Sequence, residues 1–515
     1  MSASKEPGPT VFVRESTGLI KNVSFFDAIF LNMSTQSAGT ALAVITLTMI
    51  LLPSVAGVNL VYASIIAFVI VIPQLIVYTM LSRRMPRTGG DYIWTSRILG
   101  GFAGSTLAFM GYTTQSMAFE ALICLSTILA IGSVGVALGN ASFMGLALPG
   151  NMGGDPTSQF AVGALIIIIL IAINVVKPKY GYKIVSACML IGVLSLIVAN
   201  SVLLAGGTIG VENYINSLGI HGVTYQSVAS SYSGSTFDFG ATMSVIPYFA
   251  MLVYPWFGAP AVGSELKTRK AMNWNVPLSA IISLILVTSS FANLYYVGGF
   301  EFITAASSNP TLVFNYGFNF WTLAMGVANN FGISLFIGLG WVLWNVAVLA
   351  FGVIVIARYI FAQAFDRFLP AAFAYVSPKY GSPIMAQLTT LVVTLALVAG
   401  VSFYYGTLTS LFGTTVAPMV YFMFVGISAV IYAFRNETGS TKAILTIAGI
   451  LSAFVFLYLA YEFLANPGIW GGNSLAYGFV VTSAVAGAAI YLTSKYYHSK
   501  HGLDITLAYK QIPPE

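Results

Sequence analysis

The chain has 515 residues, of which 57% are hydrophobic and only 7% are charged. Soluble domains are about one-quarter charged, so a surface this poor in charge faces something apolar, and a water-soluble fold is excluded. Cys124 and Cys188 both lie in apolar runs, and His221, His498 and His501 are scattered, so neither a disulfide framework nor a metal cluster is indicated.

Residues 1–24 form a polar segment without a signal-peptide pattern. Apolar runs then recur to the end of the chain. They predict spans 1 to 12 at 25–52, 60–82, 102–131, 160–176, 184–206, 242–264, 277–299, 331–357, 384–403, 407–434, 443–464 and 475–494. Each can cross a hydrocarbon core of about 30 Å at about 1.5 Å per helical residue. The expected fold is therefore all-α and integral to the bilayer. Residues 207–241, rich in Gly, Ser and Tyr, read as a surface loop with little regular structure, and 495–515 as a C-terminal tail.

The cations test this span count. Lys5, Arg14 and Lys21 precede span 1. Arg83, Arg84, Arg87 and Arg97 lie between spans 2 and 3, and Lys177, Lys179 and Lys183 between spans 4 and 5. Lys267, Arg269 and Lys270 follow span 6; Arg358, Arg367 and Lys379 follow span 8; Arg435 and Lys442 follow span 10; Lys495, Lys500 and Lys510 follow span 12. These groups take all 21 Lys and Arg, and the alternate loops hold none. Such asymmetry puts both termini in the cytoplasm of a multi-pass cell-membrane protein. It also accounts for the net charge of +6 as a set of topology determinants, which argues against a nucleic-acid partner.

Two spans are interrupted. Span 1 carries Asn32-Met33-Ser34-Thr35-Gln36-Ser37-Ala38-Gly39-Thr40 at its middle, and span 6 carries Tyr254-Pro255-Trp256-Phe257-Gly258-Ala259-Pro260. Proline removes a backbone donor and clashes with the preceding turn. Unwound backbone at membrane depth is tolerated where it lines a cavity or is buried in protein. The two spans are five apart, and five is odd, so two consecutive five-span units run in opposite senses. Paired breaks in inverted halves mark a midplane binding site. Half-helix ends offer N–H groups on one side and carbonyls on the other, which suits a zwitterion. Packing kinks are the alternative, since Gly, Ser and Pro are common in membrane helices.

Three stretches resemble the amino acid–polyamine–organocation (APC) superfamily of permeases. They are Arg83-Arg84-Met85-Pro86-Arg87-Thr88-Gly89-Gly90-Asp91-Tyr92-Ile93-Trp94, then Gly263-Ser264-Glu265-Leu266-Lys267, and finally Arg358-Tyr359-Ile360-Phe361-Ala362 through Phe365-Asp366-Arg367-Phe368-Leu369-Pro370 to Tyr380-Gly381-Ser382-Pro383. The resemblance runs from Phe25 to about Tyr432. It implies a five-plus-five inverted repeat, with repeats at 25–206 and 242–434 and two extra helices within 435–494. It further implies alternating access, with spans 1, 2, 6 and 7 rocking against a scaffold, and an amino acid or related amine as substrate. Carried over, the substrate carboxylate meets N–H groups near Ser37, Ala38 and Gly39, flanked by Thr35 and Thr40; the ammonium meets carbonyls near Val253, Tyr254 and Trp256. In span 10, Ser410-Leu411-Phe412-Gly413-Thr414-Thr415 resembles a family stretch near the pocket. The chain departs from the family at three points. Ser37-Ala38-Gly39 replaces the common Gly-Ser-Gly, span 5 has no Lys around Leu194-Ser195-Leu196, and residues 335–360 of span 8 contain no Ser or Thr.

Among intramembrane acids, Glu120 is the most informative. Tyr112, Thr113, Ser116, Glu120, Cys124 and Thr127 form one polar stripe along span 3. An acid at that depth is costly and faces the bundle interior. It reads as a proton carrier, as a counter-charge for an amine, or as a structural acid bonded between helices. Asp27 sits where an acid complements a helix N-terminus. Glu265, with Arg358 and Asp366, reads as part of a gate on the cytoplasmic face or as a surface contact, and Glu462 as interfacial. Phe257, with Tyr254 and Trp256, flanks a break and is a pocket candidate; Trp341, Trp344 and Asn345 read first as core packing.

The function expected is secondary transport of amino acids, with the proton as possible coupling ion and a polyamine or cationic-amine transporter or exchanger as the alternative. A sensor on a permease scaffold would be expected to carry long signalling tails, and only 24 and about 20 residues flank the bundle. Walker, paired His-Glu and Cys/His metal patterns are missing from the sequence, so neither an enzyme nor an ATP-driven pump is expected, and no cofactor.

Overall fold

The computed structural model describes residues 18–148, 153–255, 257–404 and 412–512, without the Leu47 side chain. Eleven of its helices are long and apolar enough to cross a membrane. Span 1 covers Phe25–Thr46, and spans 2 to 5 are Leu60–Arg84, Gly101–Ala137, Pro156–Val176 and Pro178–Ser217. Spans 7 to 12 are Arg269–Gly298, Phe331–Phe365, Ile384–Phe403, Val416–Asn436, Gly439–Ala465 and Ser474–Lys500. Span 6 makes the twelfth crossing in pieces too short to count as one helix. The chain is an all-α, multi-pass membrane protein.

Helix starts follow local chemistry. Ser24 caps span 1 in a reciprocal capping box with Asp27, Asn59 accepts from two N–H groups of span 2, and Asp155 caps span 4 just before Pro156. Asp27 also accepts from Lys183 Nζ at 3.0 Å and from the Ser186 hydroxyl at 2.6 Å, so the start of span 1 is pinned to span 5.

Span 2 packs on span 7, span 3 on span 8 and span 4 on span 9, while the broken spans 1 and 6 meet each other. These four pairings set a span against the one five later, the relation an inverted repeat of five-span units would create; span 5 packs instead on span 8. Spans 11 and 12 stand outside this scheme, on spans 10 and 2 and on span 3 respectively. Burial sorts the centre from the lipid face: 89% of the span 1 window and 78% of the span 8 window are buried, against 22% for span 12.

Two expectations are corrected. The 207–241 segment is largely helical: span 5 continues to Ser217 across a kink at Gly207, and Tyr225–Ser231 and Phe239–Met243 follow. The polar residues that read as irregular are partly helix caps, Thr224 and Asp238 among them. Span 8 also runs eight residues past its expected end at 357, so Arg358 lies inside the helix, fully buried, rather than after it. A partner for its charge, described below, makes that burial tolerable.

Candidate functional site

The break in span 1 falls at Gln36 and Ser37. The Ser37 N–H bonds to the Ser34 carbonyl at 3.2 Å, and Ser37 itself takes a left-handed conformation with φ of 37°. A second helix, Ala38–Met49, then starts afresh, its first internal bond running from Ala41 N–H to the Ser37 carbonyl. The N–H groups of Ala38, Gly39 and Thr40 precede that bond, so none has an acceptor within the helix.

The break in span 6 has a different cause. Phe249–Val253 forms a widened π-helical turn that ends when Tyr254 N–H bonds to the Phe249 carbonyl at 3.2 Å. The next carbonyl in that register, that of Ala250, would need an N–H from Pro255, which has none. The chain resumes as the short helix Gly258–Ala261. Gly258 is required there, because a Cβ would fall 2.5 Å from Thr35 Oγ1 and 2.7 Å from the Leu31 carbonyl.

Polar side chains tie the two breaks to span 7. Asn32 accepts from Ala259 N–H at 2.7 Å and donates to Asn275 at 2.7 Å. Gln36 donates to Ser279 at 3.1 Å and accepts from Ser283. Span 2 joins the group: Ser64 and Thr288 share a hydrogen bond of 2.7 Å, and the Tyr254 hydroxyl donates to the Ser64 carbonyl at 2.9 Å.

A cavity lies beside the breaks, among spans 1, 3, 6, 8 and 10. Its polar wall is the span 3 stripe Tyr112, Gln115, Ser116 and Glu120, with Thr35 and Thr415; Met251, Leu252, Phe257, Phe351 and Phe422 supply apolar surface. Span 3 is π-helical over Phe109–Thr114, and the Thr114 hydroxyl bonds back to the carbonyls of Phe109 and Met110 across the widened turn. Such turns gather at functional sites. Glu120 is 3% exposed, and its Oε1 has no hydrogen-bond partner. Its other oxygen fills a notch at Gly352, where a Cβ would stand only 1.7 Å away.

Thr35, Ser116, Glu120 and Phe257 thus line the cavity. Ser37, Ala38, Gly39, Thr40, Val253 and Tyr254 are buried at the two breaks and are not among its lining residues. Trp344 explains part of this: a Cβ on Gly39 would meet its ring at 2.4 Å, so that ring covers the start of the second half-helix. Trp321 donates to the Gly39 carbonyl at 2.8 Å, and the Thr40 hydroxyl donates to Asn345. Trp256, Ser410 and Leu411 lie outside the described residues. Gly352, Gln115, Met251 and Val348 line the cavity without having been singled out in the sequence. Gly352 and Val348 are four apart on one helical face, a spacing that any apolar helix shares.

The three residues read as gating form buried ion pairs at the cation-bearing end. Arg358 Nε lies 3.0 Å and Nη2 3.1 Å from the two Glu265 oxygens, and the Tyr182 hydroxyl donates to Glu265 at 2.7 Å. Asp366 pairs with Arg97, Nη2 at 2.7 Å, and accepts from the Tyr92 hydroxyl at 2.7 Å. Backbone bridges Val23–Leu266 and Thr88–Val262 close the same region.

Comparison with curated proteins gives no match. Comparison with family models gives one that spans nearly the whole bundle: residues 23–485 match the family described as amino acid permease. An all-α bundle with two broken central spans agrees with that match, and the chain belongs to the amino acid permease family of the APC superfamily.

Proposed function

We propose that this permease is a secondary active transporter that carries amino acids across the membrane by alternating access. The observation that carries the reading is the cavity itself: it adjoins both helix breaks and presents one carboxylate, Glu120, with an oxygen left without a hydrogen-bond partner, on a polar strip facing apolar surface. The substrate carboxylate meets N–H groups near Ser37, Ala38 and Gly39, those of Ala38 and Gly39 having no acceptor within the helix, close to Thr35 and Thr40. The ammonium meets the carbonyls near Val253, Tyr254 and Trp256. Phe257 and the apolar wall receive the side chain. Burying an apolar side chain there contributes about 1.5–3 kcal/mol.

Spans 1, 2, 6 and 7 move as one body, which the hydrogen bonds through Asn32, Gln36 and Ser64 support. The repeats occupy 25–206 and 242–434, and both termini lie in the cytoplasm, a reading the cation distribution supports. Glu265, Arg358 and Asp366 hold the cytoplasmic end closed. Glu120 carries a proton or opposes the charge of a cationic substrate; the second role would make the protein a polyamine or cationic-amine carrier.

Uptake of a labelled amino-acid panel into proteoliposomes, under proton and sodium gradients separately, tests this. Glu120→Gln separates the two roles. Loss of uphill uptake with exchange retained identifies a proton carrier, and loss of binding confined to cationic substrates identifies a ligand. Failure of every panel member to enter or exchange would refute transport of amino acids.

A further inference from the structure

One buried acid has no part in this scheme. Asp91 opens the short helix Asp91–Ile98 between spans 2 and 3 and is fully buried. Its carboxylate accepts from three tyrosine hydroxyls on three spans: Tyr78 of span 2, Tyr359 of span 8 and Tyr421 of span 10, the last at 3.0 Å. Among the described residues no Lys or Arg forms a salt bridge with it; Arg97 pairs with Asp366, and Arg358 with Glu265. The other groups facing it are the Tyr92 backbone, Thr95 on its own helix and Tyr112 of span 3. Burial pushes the Asp91 carboxyl up to about 6, with the three hydroxyls pulling it back.

Tyr359 leads from this acid to the cavity. Its ring stacks on that of Tyr112, with centroids 3.8 Å apart and planes 18° apart. The Tyr112 hydroxyl lies in hydrogen-bonding reach of both the Tyr359 and the Ser116 hydroxyls. Tyr112, Ser116 and Glu120 follow at one-turn steps on span 3, and all three line the cavity. Facing Glu120 are Gly352 of span 8 and Cys124 of its own helix, neither of them a cation. Asp91, Tyr359, Tyr112, Ser116 and Glu120 therefore follow one another with three hydroxyls, each able to donate and accept, between two carboxyls; from Ser116 to Glu120 the way runs one helical turn along the cavity wall, where a water can bridge.

We propose that Asp91 is a proton-binding site, and that Tyr359, Tyr112 and Ser116 conduct its proton to Glu120 while the cation-bearing end stays closed to solute. A proton leaving Asp91 bonds to the Tyr359 oxygen as Tyr359 gives its own hydroxyl proton to Tyr112. Tyr112 gives its proton to Ser116, and Ser116 gives its proton to a cavity water, which passes one of its own to Glu120. Each hydroxyl gains one proton and loses one, Asp91 ends as a carboxylate, and Glu120 ends as the neutral acid. Rotation of the three hydroxyls resets the line.

This rests on the reading of the cavity as a transport site, so the experiment measures transport in two ways. Proteoliposomes are loaded with leucine, phenylalanine or arginine, and labelled substrate is followed as exchange at equal concentrations and as accumulation under an imposed proton gradient. Tyr359→Phe keeps the stacked ring and removes one link; Tyr421→Phe removes a different Asp91 donor that lies off the line. Accumulation should fall by about tenfold or more in Tyr359→Phe and Asp91→Asn, with exchange kept within about twofold. Tyr421→Phe should keep both. Unaltered accumulation in Tyr359→Phe, parallel loss of both activities in Tyr359→Phe and Tyr421→Phe, or an unmodified protein that exchanges substrate but ignores the proton gradient would each overturn the relay. No exchange of any of the three substrates by the unmodified protein would overturn the transport reading and the relay together.

Discussion

Replacing Glu265 with Gln keeps the side chain's shape and removes its charge, leaving Arg358 buried opposite a neutral amide. In the unaltered protein two guanidinium nitrogens lie 3.0 and 3.1 Å from the carboxylate, and both residues are buried. Removing one partner of such a pair costs about 3–5 kcal/mol, because the remaining charge is stranded away from water. That cost falls on the arrangement closed at the cation-bearing end; once this end opens, water reaches Arg358. Gln keeps one acceptor, so the lower bound applies, and the open arrangement should gain about 100-fold in relative population. A cysteine at Ser264, a buried position bonded to Thr88 across the closed face, reports this as a maleimide labelling rate in a Cys124→Ala, Cys188→Ala background. Labelling should accelerate about 100-fold in Glu265→Gln and slow again when Arg358→Gln is added. A rate unchanged by Glu265→Gln, in protein that remains monodisperse, would refute the argument that this pair holds the face shut.

Gly352→Ala should mimic loss of Glu120, since the added methyl would lie 1.7 Å from Glu120 Oε2 and 2.6 Å from Cδ; uptake in proteoliposomes should fall as it does in Glu120→Gln. The same substitution should lower stability by about 1–3 kcal/mol through overpacking, read as a lower Tm in detergent. Asn32→Ala strips the Ala259 N–H and Asn275 of a partner and should cost about 1–3 kcal/mol, with slowed exchange because spans 1, 6 and 7 no longer move together. For Asp91 the pH sign is fixed by the direction of its shift: the folded value, about 6, lies above the ordinary 3.8, so the folded chain binds that proton more tightly. The stability it contributes is complete below 3.8 and is lost as the pH rises to about 6. Unfolding followed against pH should show that decline in the unmodified protein and a flat response in Asp91→Asn.

Particular residues show where a linear reading works. Pro255 announces the span 6 break by itself, because a missing N–H needs no neighbour to take effect. The break at Ser37 is less legible: no proline stands there, and the left-handed turn is held by contacts with spans 6, 7 and 8. Glu120 stands out because an acid within an apolar run is costly wherever the helix faces. Gly352, which receives its carboxylate, looks like any small residue in a membrane helix. The end of span 8 is not legible because a charge at Arg358 reads as a helix leaving the membrane, and Glu265, the residue that permits its burial, lies 93 positions earlier.

The sequence by itself determined that the chain crosses a bilayer about twelve times, which spans are interrupted and which end bears the cations. These are properties of single segments and follow from hydropathy, from the backbone chemistry of Pro and Gly and from the cost of moving charge. Only the tertiary structure decided which polar groups meet: that Asn32 reaches Ala259, that Trp344 covers Gly39, and that Asp91 collects hydroxyls from three spans. Those choices depend on how helices rotate and pack against one another, and hydropathy is nearly blind to rotation when a helix is apolar on every side.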